Sequence, residues 1–79
     1  MSVAPSFNKI ALIGFGLIGG SIARAARAQG LAGEIVTTDR SEKTRARVKE
    51  LGIVDAVVET NAQAVKDADL VILCIPVGA

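Results

Sequence analysis

Three glycines with the spacing G-x-G-x-x-G are the residues whose type and spacing indicate a specific chemistry. Gly14, Gly16 and Gly19 follow an apolar run at residues 10–13 and precede a helical pattern rich in small residues. Gly14 lets the chain turn sharply off a strand, Gly16 lets the backbone approach a pyrophosphate, and Gly19 lets the helix lie close to the strand. This order of strand, glycine turn and helix predicts a pyrophosphate site at a helix N-terminus.

One acidic side chain complements the glycines. Asp39 follows a second strand pattern, 25 residues after Gly14, where a carboxylate would accept hydrogen bonds from the adenosine ribose of a dinucleotide. A 2′-phosphate there would meet a like charge, so Asp39 favours NAD over NADP. Arg40 opposes that preference, because its guanidinium could stack on adenine or pair with a 2′-phosphate. The alternative for Asp39 is a helix N-cap or a turn aspartate.

The end of the fourth predicted strand should form the other wall of the cofactor crevice, because ligands of open α/β sheets bind where the strand order reverses. Cys74 is expected to be an inert core residue with its backbone at this crevice, since the chain has no histidine to lower the pKa of the thiol. No catalytic or metal-binding residue is predicted. The predicted cofactor-binding residues are Gly14, Phe15, Gly16, Leu17, Ile18, Gly19, Asp39, Arg40, Cys74, Ile75 and Pro76.

The elements that must position these residues alternate as β-α-β-α-β-α-β. Strands are predicted at residues 9–13, 34–38, 56–58 and 70–75, with helices at 17–29, 42–51 and from about 60 to 66. This alternation predicts an α/β fold, a Rossmann-type doubly wound parallel sheet of which the chain holds the first four strands, in the order 3-2-1-4.

Smaller features carry structural expectations. The first helix should bury Ile18, Ile22, Ala25 and Ala26 on one face. Its arginines, Arg24 and Arg27, are interpreted as solvated. Asp67 and Asp69 are close enough in sequence to suggest acid–base or metal chemistry. A solvated turn is preferred, because they precede the fourth strand at the edge opposite the ligand.

Composition excludes several classes of function. The 79 residues carry a formal net charge of +1, which gives no electrostatic case for binding nucleic acid or a membrane surface. A single cysteine suggests a reducing compartment, and neither a signal peptide nor a membrane-spanning run is visible. A cytoplasmic location is therefore expected. Aromatic residues are only 3% of the chain, so the core must consist of aliphatic residues.

Three stretches resemble the prephenate/arogenate (cyclohexadienyl) dehydrogenase family. They are the glycine turn with its doubled glycine and serine (GFGLIGGS, residues 14–21), TDRS at 38–41, and DADLVILCIPV at 67–77. The resemblance implies oxidative decarboxylation of prephenate or arogenate toward tyrosine, with NAD or NADP.

The resemblance covers almost the whole chain but only the N-terminal part of a family member. It implies that residues 1–79 are the N-terminal portion of an NAD(P)-binding domain, followed by the rest of that domain and a helical domain that forms a homodimer. The family's catalytic histidine and substrate-binding arginine belong to later segments, so the isolated chain is expected to be inactive. Two alternatives stay open: a non-catalytic NAD-sensing module, and another Rossmann dehydrogenase that acts on a small acid.

Overall fold

The computed structural model describes residues 7–74, apart from the side chain of Leu17. Four parallel strands form one sheet in the order β3-β2-β1-β4, which confirms the predicted α/β class and strand order. The strands are β1 (Phe7–Ile13), β2 (Ala32–Thr38), β3 (Ala56–Val58) and β4 (Leu70–Leu73). The helices are α1 (Gly16–Gln29), α2 (Glu42–Leu51) and α3 (Asn61–Val65).

Strand β1 lies at the centre of the sheet and is buried on both faces, as its unbroken apolar run predicts. Ile10, Ala11 and Leu12 are all buried, because helices cover both sides of a parallel sheet. The register pairs Ile13 with Thr38 of β2 and with Leu73 of β4. The C-terminal ends of these three strands therefore lie side by side at one edge.

The two faces of the sheet pack against different helices. On one face, Leu12 and Ile35 pack with Phe15, with Ala23 of α1 and with Val48 of α2. On the other face, the shorter α3 contributes Ala64, which packs with Ala11 and Val36. Helices α1 and α2, which both begin at the C-terminal edge, thus share one layer.

The buried face of α1 differs from the predicted one. Ala23 and Ala26 are buried and Ile22 is half-buried, whereas Ala25 is exposed and Ile18 is 62% exposed. In the observed rotation of α1, slim alanines rather than Ile18 lie against the sheet. The larger Phe15 fills the space that the small residues leave.

Two acidic residues at the N-terminal edge fasten neighbouring strands. Asp55 accepts the Ile35 N–H at 2.6 Å, and Asp69 accepts the N–H groups of Asn8 and Lys9 at 2.7 and 3.1 Å. Arg27 pairs with Asp55 at 3.2 Å and donates to the Ile53 carbonyl. Arg27 and Asp69 are both exposed, as expected of solvated groups, and they make these contacts in addition.

Strand β4 ends at Leu73, and the predicted extension to Ile75 lies outside the described residues. Val71 is 43% and Leu73 is 67% exposed, because the short α3 packs against the other three strands. Across residues 7–74, no helix has the length and apolar character needed to span a bilayer.

Candidate functional site

The glycine turn joins β1 to α1 at the C-terminal edge of the sheet. Gly14 has φ +80° and Gly16 has φ +52°, a left-handed conformation that side chains with a Cβ disfavour. A Cβ on Gly16 would point into open space, with no heavy atom within 4 Å. The surface over Gly16 is therefore free for a ligand to approach the backbone, as the spacing predicts.

The third glycine lets two parts of the turn pack closely. A Cβ on Gly19 would lie 3.4 Å from the Gly14 carbonyl oxygen and from the Phe15 ring. The close contact predicted for Gly19 is therefore made with the turn itself rather than with the body of the strand. Phe15, only 5% exposed, belongs to the core beneath the turn.

The first turn of α1 presents free backbone donors. The helical bonds begin with Gly19 N–H to the Phe15 carbonyl at 2.7 Å, so the N–H groups of residues 16–18 precede the ladder. No side chain in the described part of the chain caps this end, and its first turn contains no acidic residue. An anion at this end would meet backbone donors and the positive end of the helix dipole.

Asp39 lies directly beside this turn. Its Oδ2 accepts the Phe15 N–H at 2.9 Å, and its Oδ1 accepts the Ser41 N–H at 2.9 Å. Arg45 of α2 donates to the Asp39 carbonyl at 2.6 Å. Each carboxylate oxygen can accept a second hydrogen bond, so the group can still receive ribose hydroxyls. Asp39 is half-buried and the adjacent Arg40 is exposed.

Cys74 brings the end of β4 to the same place. Its N–H donates to the Ile13 carbonyl at 2.8 Å, which puts its backbone next to the start of the turn. The Cys74 side chain is buried, and desolvation raises the pKa of the thiol above its usual range. This agrees with the predicted inert side chain. Ile75, Pro76 and the Leu17 side chain lie outside the described part of the structure.

Sequence reasoning missed a cavity of about 430 Å³ between the turn and α2. Lys43 and Arg47, spaced i and i+4 on α2, line the cavity together with Gly16. The i,i+4 spacing of two basic residues was the available signal. These cations add positive charge beside the open N-terminus of α1. The other lining residues are Phe15, Thr44, Val48 and Leu51.

The parallel sheet, the left-handed glycines, the open helix end and the adjacent acid together define a dinucleotide-binding domain of Rossmann type. A sequence model of the family described as "NADP oxidoreductase coenzyme F420-dependent" matches residues 9–79. The chain belongs to this family.

Individual relatives confirm the resemblance to the prephenate/arogenate (cyclohexadienyl) dehydrogenases. A cyclohexadienyl dehydrogenase of Zymomonas mobilis is 45% identical over 73 residues, which are 92% of this chain and 25% of that protein. A pyrroline-5-carboxylate reductase of Pseudomonas aeruginosa is 41% identical over 71 residues, 89% of this chain and 26% of that protein. The chain thus spans about a quarter of the length of these curated relatives.

Among solved structures, a prephenate dehydrogenase from A. aeolicus, in complex with hydroxyphenyl propionate and NAD+, has the same fold. The TM-score is 0.74 and the sequence identity 27%, over 92% of this chain and 24% of that one. The prediction of a nicotinamide dinucleotide cofactor agrees with this structure and with the family description.

Proposed function

We propose that this chain is the dinucleotide-binding part of an NAD(P)-dependent dehydrogenase that oxidises and decarboxylates prephenate, arogenate or both, in tyrosine biosynthesis. The observation that carries the binding role is the uncapped N-terminus of α1, with Gly16 open above it and Asp39 beside it. The similarity to a cyclohexadienyl dehydrogenase and to a prephenate dehydrogenase supports the substrate class.

In this proposal different residues of the site contact different parts of the cofactor. The N–H groups at the start of α1 bind the pyrophosphate, and Gly16 allows its close approach. Asp39 receives the ribose hydroxyls of the adenosine half, and the exposed Arg40 lies against the adenine. The exposed Ile18 contacts the cofactor at the first turn of α1.

The remaining predicted contacts are those of Leu17, Cys74, Ile75 and Pro76. Leu17 belongs with the contacts to the adenosine half, and the Cys74 backbone, with Ile75 and Pro76 next in sequence, would line the crevice on the β4 side. The cofactor, when bound, accepts the hydride. This chain contains no histidine, so we assign none of its residues to acid–base catalysis.

We further propose NAD as the preferred cofactor. Asp39 would repel a 2′-phosphate, whereas ribose hydroxyls can donate to it. Three positive charges weaken this preference. Lys43 and Arg47 of α2 line the cavity beside Gly16, and Arg40 lies just before α2 begins. NADP therefore remains a usable second cofactor.

The proposal extends to the organisation of the whole protein. Residues 1–79 would form the N-terminal portion of the nucleotide-binding domain, with the substrate bound between that domain and a helical domain that forms a homodimer. The catalytic base and the substrate-binding groups would come from those other segments. A cytoplasmic location fits this metabolic role.

The test uses the purified full-length protein with NAD or NADP and each of two substrates, prephenate and arogenate. Substrate-dependent formation of NADH together with CO₂ is the expected result. Hydride transfer without CO₂ release would contradict the assigned reaction, while leaving dinucleotide binding in place.

A second candidate is a reductase of a small cyclic imino acid, which the similarity to pyrroline-5-carboxylate reductase favours. It predicts oxidation of NADPH when pyrroline-5-carboxylate is added, and no CO₂ release from prephenate or arogenate. Adding this assay to those with prephenate and arogenate therefore separates the two candidates. Cofactor binding with neither activity would instead support a non-catalytic NAD-sensing module.

A further inference from the structure

The glycine turn is held to the end of β2 by two hydrogen bonds of different kinds. Gly14 N–H donates to the Thr38 carbonyl at 2.8 Å, a backbone bond that most side chains at residue 38 would permit. Phe15 N–H donates to the Asp39 Oδ2 at 2.9 Å. Only the second bond depends on the identity of a side chain.

The Asp39 side chain is fixed from its other end as well. Its Oδ1 accepts the Ser41 N–H at 2.9 Å, and Arg45 holds the Asp39 carbonyl at 2.6 Å. The carboxylate therefore bridges the glycine turn and the start of α2. Each of its two oxygens accepts one of these backbone N–H groups.

A turn with two left-handed glycines loses much backbone entropy when it is ordered, because glycine has the largest conformational freedom. Ordering that occurs only on binding lowers affinity, whereas a turn held in advance avoids this loss. Phe15 lies between Gly14 and Gly16, so the bond to its N–H fixes the peptide group between Gly14 and Phe15, in the middle of the turn.

We infer that Asp39 is a positioning residue for the phosphate-binding turn, in addition to any contact with ribose. This inference rests on the proposed cofactor-binding function. The carboxylate keeps the turn in its phosphate-binding conformation before the ligand binds. Its removal should therefore weaken the binding of a diphosphate ligand that has no ribose hydroxyl groups to offer.

The test compares ADP with 2′,3′-dideoxy-ADP as ligands of the full-length protein, measured by calorimetry for wild type and for Asp39→Ala. A lost hydrogen bond to a charged group should weaken dideoxy-ADP by about tenfold in the variant. ADP should lose at least as much. If dideoxy-ADP keeps its affinity within about twofold while ADP binds less tightly, Asp39 contacts only ribose and the inference fails.

Asp69→Ala is the matched control, because Asp69 also accepts two backbone N–H groups, at the opposite edge of the sheet. It should lower stability without changing either affinity. An equal loss of affinity in this control would show that general destabilisation, not the turn, causes the effect. Failure of wild type to bind either ligand would overturn both this inference and the proposed function. Weaker binding of ADP but not of dideoxy-ADP by Asp39→Ala would overturn this inference alone.

A second measurement does not depend on the ligand and uses Asp39→Asn, which keeps the side-chain shape. The amide hydrogen of Phe15 should exchange with solvent about tenfold faster than in wild type. Asparagine has one neutral acceptor oxygen for the Phe15 and Ser41 N–H groups, which the two carboxylate oxygens accept in wild type. The Gly14 amide, bonded to the Thr38 carbonyl, should keep its rate. Equal exchange of the Phe15 amide in both proteins would contradict the positioning role.

Discussion

Helices α1 and α2 start at the same edge of the sheet, but their N-termini are built differently. At α2, the Ser41 Oγ accepts the Thr44 N–H at 3.2 Å, and Glu42 adds a negative charge to the first turn. At α1, residue 15 is a buried phenylalanine that offers no cap, and glycine follows it. Within residues 7–74, side chains thus cap the first turn of α2, whereas the N–H groups in the first turn of α1 stay open.

The third helix shows that capping is the ordinary solution here. Although α3 has only five residues, Thr60 and Gln63 form a capping box with bonds of 3.0 and 3.1 Å. An uncapped end costs roughly 1 kcal/mol of helix stability. The comparison teaches that the open end of α1 is a specialised feature, and it explains why the cofactor site is assigned there.

The largest expected effect comes from filling the open space at α1. Gly16→Val should weaken NAD binding by at least about 100-fold, because the branched side chain would take the place of the pyrophosphate and displace hydrogen bonds to a charged group. Calorimetric titration of the full-length protein with NAD measures this change.

Gly30→Val is the control for backbone strain. Gly30 has φ +64° and open space around its Cβ position, but it ends α1 at the other edge of the sheet. Both variants should lose about 1–2 kcal/mol of stability, and only Gly16→Val should lose NAD. Normal NAD affinity in Gly16→Val would show that the open end of α1 is not the phosphate site.

A smaller effect is expected on cofactor choice. Asp39→Ser removes the charge beside the turn and should raise the NADP/NAD affinity ratio by about tenfold, which corresponds to a modest like-charge repulsion near a protein surface. Titrations with both cofactors give the ratio. A wild type that already prefers NADP would mean that Arg40 and its cationic neighbours outweigh Asp39.

The capped end of α2 should respond in stability rather than in binding. Ser41→Ala removes the acceptor for the Thr44 N–H and should cost about 1 kcal/mol of unfolding free energy. Urea unfolding measures the loss, and Ser41→Thr, which keeps a hydroxyl acceptor, should recover most of it. A stability equal to wild type in the alanine variant would remove the contrast between the two helix ends.

The smallest effect concerns the end of β4, the buried neighbour of the open turn. Burial raises the pKa of Cys74, so the unfolded chain ionises this thiol at lower pH than the folded one. Its stabilising contribution is present below the ordinary thiol pKa and is lost as the pH rises through it toward the raised value. Urea unfolding at several alkaline pH values should show this loss in wild type. Cys74→Ala should lack this component, and an unchanged pH dependence would show that the thiol is not desolvated.

Much of the site was predictable because its signals are local. The glycine spacing located the turn and the open approach to its backbone, and in the structure both Gly14 and Gly16 have positive φ there. The N-cap of α2 is local as well, because the Ser41 hydroxyl accepts the N–H of a residue only three positions further on. The predicted β3 and α2 agree with the structure at residues 56–58 and 42–51.

Other features were not predictable because they depend on distant partners. The exposed position of Ile18 follows from the rotation of α1 against the sheet, which the apolar spacing alone predicted wrongly. Arg27 and Asp55 are 28 residues apart in sequence and meet only when α1 packs beside the loop before β3.

The sequence by itself determined the alternation of elements, the parallel sheet and the glycine turn, because periodicity and backbone conformation depend on adjacent residues. Only the tertiary structure decided what Asp39 touches and which residues line the cavity beside Gly16. Those contacts join the end of β2, the turn after β1 and helix α2, and their geometry exists only once the strands are paired in register.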